Sequence, residues 1–467
     1  METTSTPETQ EDSADLREEK SFHLSDEEIK DIVGALRQQD ADTVNAALTD
    51  LSTADTAELL SKIKSEDREE LLSMYQEHID PLIFTDMDAE LSRATLSAMP
   101  PAQVAQMISE LESDDALLLI EPLDPDFRHE VIKKLSAKTR LVLEEGLSFP
   151  EDSAGRLMQR ELVAIPEFWT VGKTLDYLRA ASETLPEDFL NIFIVDPSYH
   201  LKGAIPLNRV VRARRSEKIA DLKLDETNPI PADMDQEEVA HLFRREDLLS
   251  APVVDENDRL IGVITIDDVI DVIDEEAQED ILRLAGVDQG DLYSAVFTTT
   301  GKRFRWLFVN LLTAILASIV ISFFDATIEQ IVALAVLMPI VASMGGNAGT
   351  QAMTVAVRAI ATHEISSTNT WRVIWKETLV GTINGAVFAV ITGIIAALWF
   401  GSTILGIVIA TAMIINLIAA GLSGAGIPVL LNKFGSDPAV SSTVLLTTVT
   451  DVVGFLSFLG LAAIFMA

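Results

Sequence analysis

Five long apolar segments in the last third of the chain constrain its fold more than any other feature. They span residues 306–324, 331–355, 379–400, 404–431 and 439–466. Each is long enough to cross a bilayer as a helix. Because lipid offers the backbone no hydrogen-bond partner, an exposed segment of this kind must be helical. The sequence therefore predicts a five-helix transmembrane domain over residues 301–467, in contact with membrane lipid.

The basic residues of the connecting loops alternate between the two sides of this domain. Lys302, Arg303 and Arg305 precede the first segment, and the loop after it holds only acids, Asp325 and Glu329. Cytoplasmic loops carry the excess of Lys and Arg. We therefore expect a multi-pass protein of the cell inner membrane with its N-terminus in the cytoplasm and its C-terminus outside. Residues 1–20 are polar and acidic, so no signal peptide is expected.

Asp451 is the one ionisable residue within the five apolar segments. A carboxylate at that depth is costly unless it faces water, a cation or a partner. Three threonines, Thr447, Thr448 and Thr450, lie in the same turns, which favours a functional site over a protonated aspartate bonded to a neighbouring helix. Five spans leave Asp451 without a second acid, so we expect a homodimer whose two-fold axis brings two copies together.

The second apolar segment contains three glycines in five residues, at 345, 346 and 349, beside the amides and hydroxyl of Asn347, Thr350 and Gln351. Glycines let helices approach closely, and irregular backbone at this depth is tolerated where it lines a cavity. A close helix crossing and a polar lining both remain open.

The charge of the chain is concentrated outside the membrane domain. Residues 1–300 hold 28 basic and 67 acidic residues, whereas residues 301–467 hold seven and six. Such a field repels nucleic acid, which is not expected as a partner, and attracts cations. Solubility, adaptation to a salt-loving host and divalent-cation sites are all consistent with it. The absence of cysteine excludes disulfides, thiolate zinc sites and thiol catalysis.

An internal repeat with a spacing of 59 residues occupies the middle of the chain. Residues 194–196, 201–205 and 210–211 (IVD, LKGAI, VV) recur as 253–255, 260–264 and 269–270 (VVD, LIGVI, VI). Each copy predicts two strands and a helix, and the pair resembles tandem α/β CBS domains, here 153–215 and 216–273. Such pairs often bind adenine nucleotides. The second copy matches their motif at Thr265 and Asp268, a candidate ATP site, whereas the first has Pro206 and Arg209 there.

The remaining regions are assigned from periodicity and charge. Residues 1–24 are predicted to be a disordered acidic tail, and residues 25–150 an all-α superhelical domain of short helices. A connecting helix is predicted over 274–300. Six acids fall within residues 271–280, and they favour either a solvated face or a bound divalent cation.

Three motifs in this order resemble the MgtE family of magnesium channels. They are residues 344–351 (MGGNAGTQ), 437–439 (DPA) and 447–454 (TTVTDVVG). The resemblance implies a homodimeric Mg²⁺ channel with Asp451 in the pore, Asn347 on the glycine-rich pore helix and Asp437 at the cytoplasmic mouth. It also implies closure by intracellular Mg²⁺, through sensor acids that match Asp247, Asp268, Asp271, Glu276, Glu279 and Asp280.

Three other classes of protein share features with this sequence. A membrane metalloprotease would need H-E-x-x-H, but His363-Glu364 is followed by Ser367 at the second histidine position, so enzyme activity is not expected. A transporter of Mn²⁺, Co²⁺ or Ca²⁺ remains open because oxygen ligands suit these ions as well. A nucleotide-sensing membrane receptor without transport also remains open.

Overall fold

The computed structural model describes residues 24–75, 79–186, 188–224, 227–287, 293, 295–366 and 368–466. The predicted acidic tail, apart from Leu24, and part of the predicted connecting segment 274–300 lie outside these residues. The chain divides into two compact units, one largely N-terminal and one that contains all described strands and the long apolar helices. The exact domain limits given above stay predictions.

The N-terminal unit contains nine short α-helices within the described part of residues 24–151. Serines cap several of them: Ser25 and Ser52 each form a capping box, with Glu28 and Asp55 respectively. The apolar faces enter one shared core, as predicted for an all-α domain. The helices are α1 Asp26–Arg37, α2 Ala41–Asp50, α3 Thr53–Lys62, α4 Ser65–Met74, α5 Ala89–Ser97, α6 Pro101–Ile108, α7 Ser113–Ile120, α8 Pro125–Lys134 and α9 Ala137–Gly146.

The second unit begins with two small sheets that share one topology. In each, a short strand pairs in parallel with a second strand, which pairs antiparallel with a third. The antiparallel registers shift at the same place in both copies, after Ile194 and after Val253. The structure thus confirms the predicted α/β repeat. The strands are β1 Ala164–Pro166, β2 Asn191–Val195, β3 Leu201–Pro206, β4 Ile230–Pro231, β5 Ser250–Val254 and β6 Leu260–Thr265.

Five helices accompany the sheets, and the last is much longer than the others. They are α10 Ala154–Leu157, α11 Val171–Ala180, α12 Leu207–Arg212, α13 Gln236–Glu246 and α14 Ile266–Ala285. Because α14 contains neither glycine nor proline, the final helix of the second repeat continues without a break into the predicted connecting helix. Gly286 ends α14 in the left-handed region, with φ +71°. A Cβ at this position would also collide with the Trp306 indole.

Among the described residues, five helices are long and apolar enough to cross a membrane, which confirms the prediction. They belong to α15 Val296–Ser322, α17 Ala333–Ala361, α18 Thr370–Phe400, α19 Thr403–Lys433 and α20 Pro438–Met466, with a short α16 Asp325–Gln330 after the first. Helix α19 is central and packs on α17, α18 and α20. Small residues allow the close approach: a Cβ on Gly406 would lie 2.6 Å from the Gly393 carbonyl oxygen.

Candidate functional site

Asp451 lies midway along α20 and is half-buried. Among the described residues, none donates a hydrogen bond to its carboxylate or pairs with it. The threonine hydroxyls around it are engaged with their own helix: Thr447 donates to the Thr443 carbonyl at 3.1 Å, and Thr448 donates to the Val444 carbonyl at 2.7 Å. Because these hydroxyls donate to carbonyls of their own helix, the Asp451 carboxylate is available to a cation or to water.

A polar stripe follows the exposed face of α17. It comprises residues at helical spacing on one side of the helix, Ser343, Asn347, Thr350, Gln351 and Thr354, all exposed. The opposite face, with Val341, Gly345 and Gly349, is buried against other helices. Neutral oxygens and amides on the outside of a membrane span face a water-filled path or another protein surface rather than lipid. The close helix crossing is confirmed on the buried face; the polar lining stays a prediction and concerns the opposite face.

Four carboxylates converge where α13 and α14 meet the start of α20: Glu237 on α13, Glu276 and Asp280 on α14, and Asp437 just before α20. Burial raises the pKa of Glu237 to about 7, and the charges of Glu276 and Asp280 add to the rise. Burial also raises the pKa of Asp280, with Asp437 and Glu276 contributing. Burial therefore disfavours the charged forms of Glu237 and Asp280, and the neighbouring carboxylates disfavour them further. Glu237 was not among the predicted site residues, because it lies about 40 residues before the acids of α14.

Arg283 ties two of the predicted acids together. Its Nη1 is 2.5 Å from Asp437 Oδ2, and its other terminal nitrogen contacts the Glu279 carboxylate one turn earlier. Beside it, the Thr443 hydroxyl donates to the Leu284 carbonyl at 3.2 Å. The last turn of α14 is therefore attached to the first turns of α20, the helix that carries Asp451.

The other predicted sensor acids lie apart. Asp268 accepts a hydrogen bond from the Thr265 hydroxyl at 2.7 Å, and Asp247 ends α13 in the left-handed region with φ +51°. Burial raises the pKa of Asp271, and Asp267 and Asp274 raise it further. Within the described residues, no group of three or more acidic, histidine or cysteine side chains has the geometry of a direct metal site. The donor set fits a hydrated ion held by one or two carboxylates through water.

A cavity of about 720 Å³ lies between the two repeats. Leu207, Asn208 and Arg212 line it from the first repeat, and Asp247 and Leu249 from the second. Thr265 and Asp268, the predicted nucleotide ligands, are not part of its lining. A second cavity of about 670 Å³ shares Asn208 and Arg212 and adds Arg209 and Arg214. No sequence motif marked this basic, partly apolar space.

Two histidines join the second repeat to the membrane domain. The ring centroids of His241 on α13 and His363, in the loop after α17, are 4.5 Å apart. Arg244 lies 3.2 Å from His241 Nδ1, which acts as the acceptor. Burial lowers the pKa of His241, and His363, Arg244 and Arg245 lower it further. The contact therefore favours the neutral form of His241.

We expect acidification to open this contact. Because the folded-state pKa of His241 is depressed, its contribution to stability is present at neutral pH and is lost as the pH falls through that pKa. After division by the intrinsic exchange rate at each pH, the protection factor of the amides in residues 359–364 should fall between pH 7.5 and pH 5. His241→Phe keeps an aromatic ring at this position but cannot titrate there, so the protection factor in this variant should change much less with pH. Equal pH dependence in both proteins would contradict the assignment.

These features define a class: a membrane protein with five candidate spans, one of which holds an acid without a partner among the described residues, and with an acidic α/β region attached to its last helix. Comparison with known families is consistent with that class. A model described as "Divalent cation transporter" (MgtE) matches residues 338–461, the MgtE intracellular N domain matches 51–152, and a CBS domain matches 225–275.

The chain belongs to the MgtE family. It is 35% identical over 358 residues to the magnesium transporter MgtE of Thermus thermophilus, covering 75% of this chain and 78% of that protein. It is 32% identical over 353 residues to the magnesium transporter MgtE of Bacillus subtilis, with the same coverages. Among solved structures, the cytosolic domain of the Mg²⁺ channel MgtE in complex with ATP is 29% identical, with a TM-score of 0.49, covering 52% of this chain and 99% of that one.

Proposed function

We propose that this chain conducts Mg²⁺ across the cell membrane as a homodimer, with Asp451 in the path, and that intracellular Mg²⁺ closes it. The observation that carries the proposal is the Asp451 carboxylate, which has no hydrogen-bond or ion-pair partner among the described residues of a membrane span. A carboxylate at this depth needs a counter-charge or water. The identity of two relatives as magnesium transporters supports Mg²⁺ as that counter-charge.

The exposed stripe of α17 supports the path and the second copy. Asn347, Thr350 and Gln351 face outward from a single chain, and a two-fold axis beside this face would enclose them. Their neutral oxygens can bind the outer surface of a hydrated ion. Mg²⁺ dehydrates reluctantly and keeps several waters, so a path lined by amides, hydroxyls and one acid per chain suits it. Selectivity then depends on the path's width and hydrogen-bonding groups.

The attachment of α14 to α20 supports closure by cytoplasmic Mg²⁺. Glu237, Glu276, Asp280 and Asp437 lie close enough to repel one another: burial raises the pKa of Glu237 and of Asp280, and the charges of the neighbouring acids raise both further. A divalent cation among them removes this repulsion and draws α13, α14 and the start of α20 together. Asp247, Asp268 and Asp271 are proposed as further sites of weak binding. The N-terminus is proposed to lie in the cytoplasm, which places these acids in contact with intracellular Mg²⁺.

Ion flux into liposomes tests the conducting role directly. Purified protein should carry Mg²⁺ down its gradient, and Mn²⁺, Co²⁺ and Ca²⁺ added in turn report selectivity by competition. Preference for one of these ions over Mg²⁺ would reassign the cargo. Absence of any divalent flux, with the protein folded, would favour a membrane receptor instead.

For ATP, we propose a site on the second repeat at Thr265 and Asp268. The Thr265–Asp268 hydrogen bond, 2.7 Å, holds the carboxylate at the start of α14, where it can accept from ribose hydroxyls. Calorimetry on the full-length protein should show Asp268→Ala weakening ATP binding by about tenfold. Arg212→Ala is the matched variant in the neighbouring cavity. If it abolishes binding and Asp268→Ala does not, the nucleotide site lies in the first repeat's basic cavity.

A further inference from the structure

Asn416 is a polar side chain fully enclosed in the membrane domain. It lies on α19, the central helix, with 0% of its surface exposed. Its Nδ2 donates to the Val341 carbonyl of α17 at 2.8 Å. Its Oδ1 is buried and accepts no hydrogen bond from any described residue. Neither the family motifs nor the apolar pattern of α19 singled out this residue.

Two glycines on two different helices make room for this carboxamide. A Cβ on Gly345 of α17 would collide with Asn416 Nδ2. A Cβ on Gly454 of α20 would lie 2.8 Å from the same nitrogen and 3.2 Å from Asn416 Cγ. The Asn416 side chain therefore occupies the point where α17, α19 and α20 meet, and it sets how closely the three helices approach.

This junction lies at the level of the candidate pathway. Gly345 is two residues before Asn347, whose side chain is on the opposite, exposed face of α17. Gly454 is three residues, nearly one turn, after Asp451 on α20. The separation of the helices that carry Asn347 and Asp451 thus depends on the packing of Asn416 between them.

The buried Oδ1 of Asn416 has no hydrogen-bond donor among the described residues. An unpaired amide oxygen inside a membrane domain is costly, because neither lipid nor apolar side chains can donate to it. The smallest donor that satisfies it is water, which typically occupies buried polar sites with several partners. An amide whose nitrogen is fixed by a backbone carbonyl holds such a water in a defined direction.

We propose that Asn416 is a positioning residue of the ion pathway: its Nδ2 fixes α17 against α19 beside α20, and its Oδ1 holds a buried water at this junction. The proposal rests on the conducting role of the chain. Asn416 does not touch the ion. It keeps Asn347 and Asp451 at the spacing that suits a hydrated Mg²⁺ ion rather than a larger one.

The test compares full-length Asn416→Leu, Asn416→Asp and wild type in liposomes, at equal amounts of folded protein measured by gel filtration. Leucine keeps the volume and removes both polar functions, whereas aspartate keeps the shape and an acceptor but removes the donor to Val341. We expect Mg²⁺ flux to fall by about tenfold in both. The ratio of Mg²⁺ to Ca²⁺ flux should fall as well, because a looser junction no longer selects by size. Thr378→Val is the control: this buried threonine bonds only its own helix, and its loss should leave flux and ratio unchanged.

The outcomes separate this proposal from the conducting role. If wild type carries no divalent flux, the proposed function fails first. If wild type conducts and the Asn416 variants keep the wild-type ratio of Mg²⁺ to Ca²⁺ flux, Asn416 has only a structural role and the proposal is overturned. This holds even if the total flux of the variants is lower. If the single Asn416 variants do not fold, the double variant Gly454→Ala/Asn416→Ala is compared with Gly454→Ala alone. Removal of the carboxamide relieves its clash with the new methyl group, so the double variant should fold better than Gly454→Ala. Its ratio of Mg²⁺ to Ca²⁺ flux should still be lower than that of wild type.

Discussion

Replacing Asp451 with alanine is expected to reduce divalent-cation flux to the level of liposomes without protein, while leaving the purified protein folded. The carboxylate is the one formal charge within the five apolar segments, and no described residue neutralises it. Without it, nothing in the span offsets the cost of bringing a divalent ion to that depth. Asp451→Asn keeps the volume and one acceptor oxygen but removes the charge, so it should retain at most a small residual flux with weaker selectivity for divalent over monovalent cations.

Asp325→Asn is the matched control for these variants. Asp325 begins the short α16 in an exposed loop outside the apolar segments, so the substitution makes the same change in charge away from the path. It should conduct as wild type does. Fluorescence of a Mg²⁺ indicator inside the liposomes gives the rates, and gel filtration reports the assembly state. Wild-type rate and selectivity in both Asp451 variants would remove this residue from the pathway.

The parts of the fold that follow local rules were accessible from the sequence. Apolar length specifies five spans because a helix is the one structure that can cross lipid with its backbone bonded internally. The repeat was found because β-branched runs and turns recur at fixed spacing, and the equivalent register shifts after Ile194 and Val253 show how closely the two copies match. Asp451 could be selected as a candidate site because it is the one ionisable residue of the apolar segments and three threonines lie in the same turns.

The sequence did not predict the parts of the site that depend on packing between segments far apart in the chain. Glu237 and His241 lie on an amphipathic helix whose acids and bases look like a solvated face, and only the packing of α13 on α14 brings Glu237 to Glu276. The pairing of Arg283 with Asp437 joins residues 154 positions apart. A single asparagine in an apolar helix, such as Asn416, carries no periodic signal either. The predicted limit between the second CBS domain and the connecting helix, after residue 273, falls inside α14. It followed the resemblance to CBS domains, although α14 contains no glycine or proline.

The acidic residues of α14 are expected to control how the channel responds to Mg²⁺. Neutralising Glu276, Glu279 and Asp280 together, as Gln, Gln and Asn, should leave the channel conducting at Mg²⁺ concentrations that close the wild type. In the absence of divalent cations, Glu276 and Asp280 repel Glu237 and Asp437; burial raises the pKa of Glu237 to about 7, and the charges of Glu276 and Asp280 add to the rise. Mg²⁺ binding to the assembled arrangement must be tighter than to the separated one for closure to occur. The triple variant removes both the repulsion and the ligands, so its equilibrium no longer depends on Mg²⁺.

Limited proteolysis of the full-length protein measures this equilibrium alongside flux. In wild type, millimolar Mg²⁺ should protect the segment between residues 272 and 300, and in the triple variant cleavage should be the same with and without Mg²⁺. A second triple, Asp31→Asn, Asp42→Asn and Asp50→Asn, makes the same change of three charges at exposed positions of the N-terminal unit and should close as wild type does. Closure of both triple variants with an unchanged Mg²⁺ dependence would mean that the acids of α14 only solvate the helix. Closure lost in both would assign the effect to net charge. Loss in the α14 variant alone identifies this helix as the element through which cytoplasmic Mg²⁺ controls α20, because Arg283 and Thr443 attach the end of α14 to the start of α20.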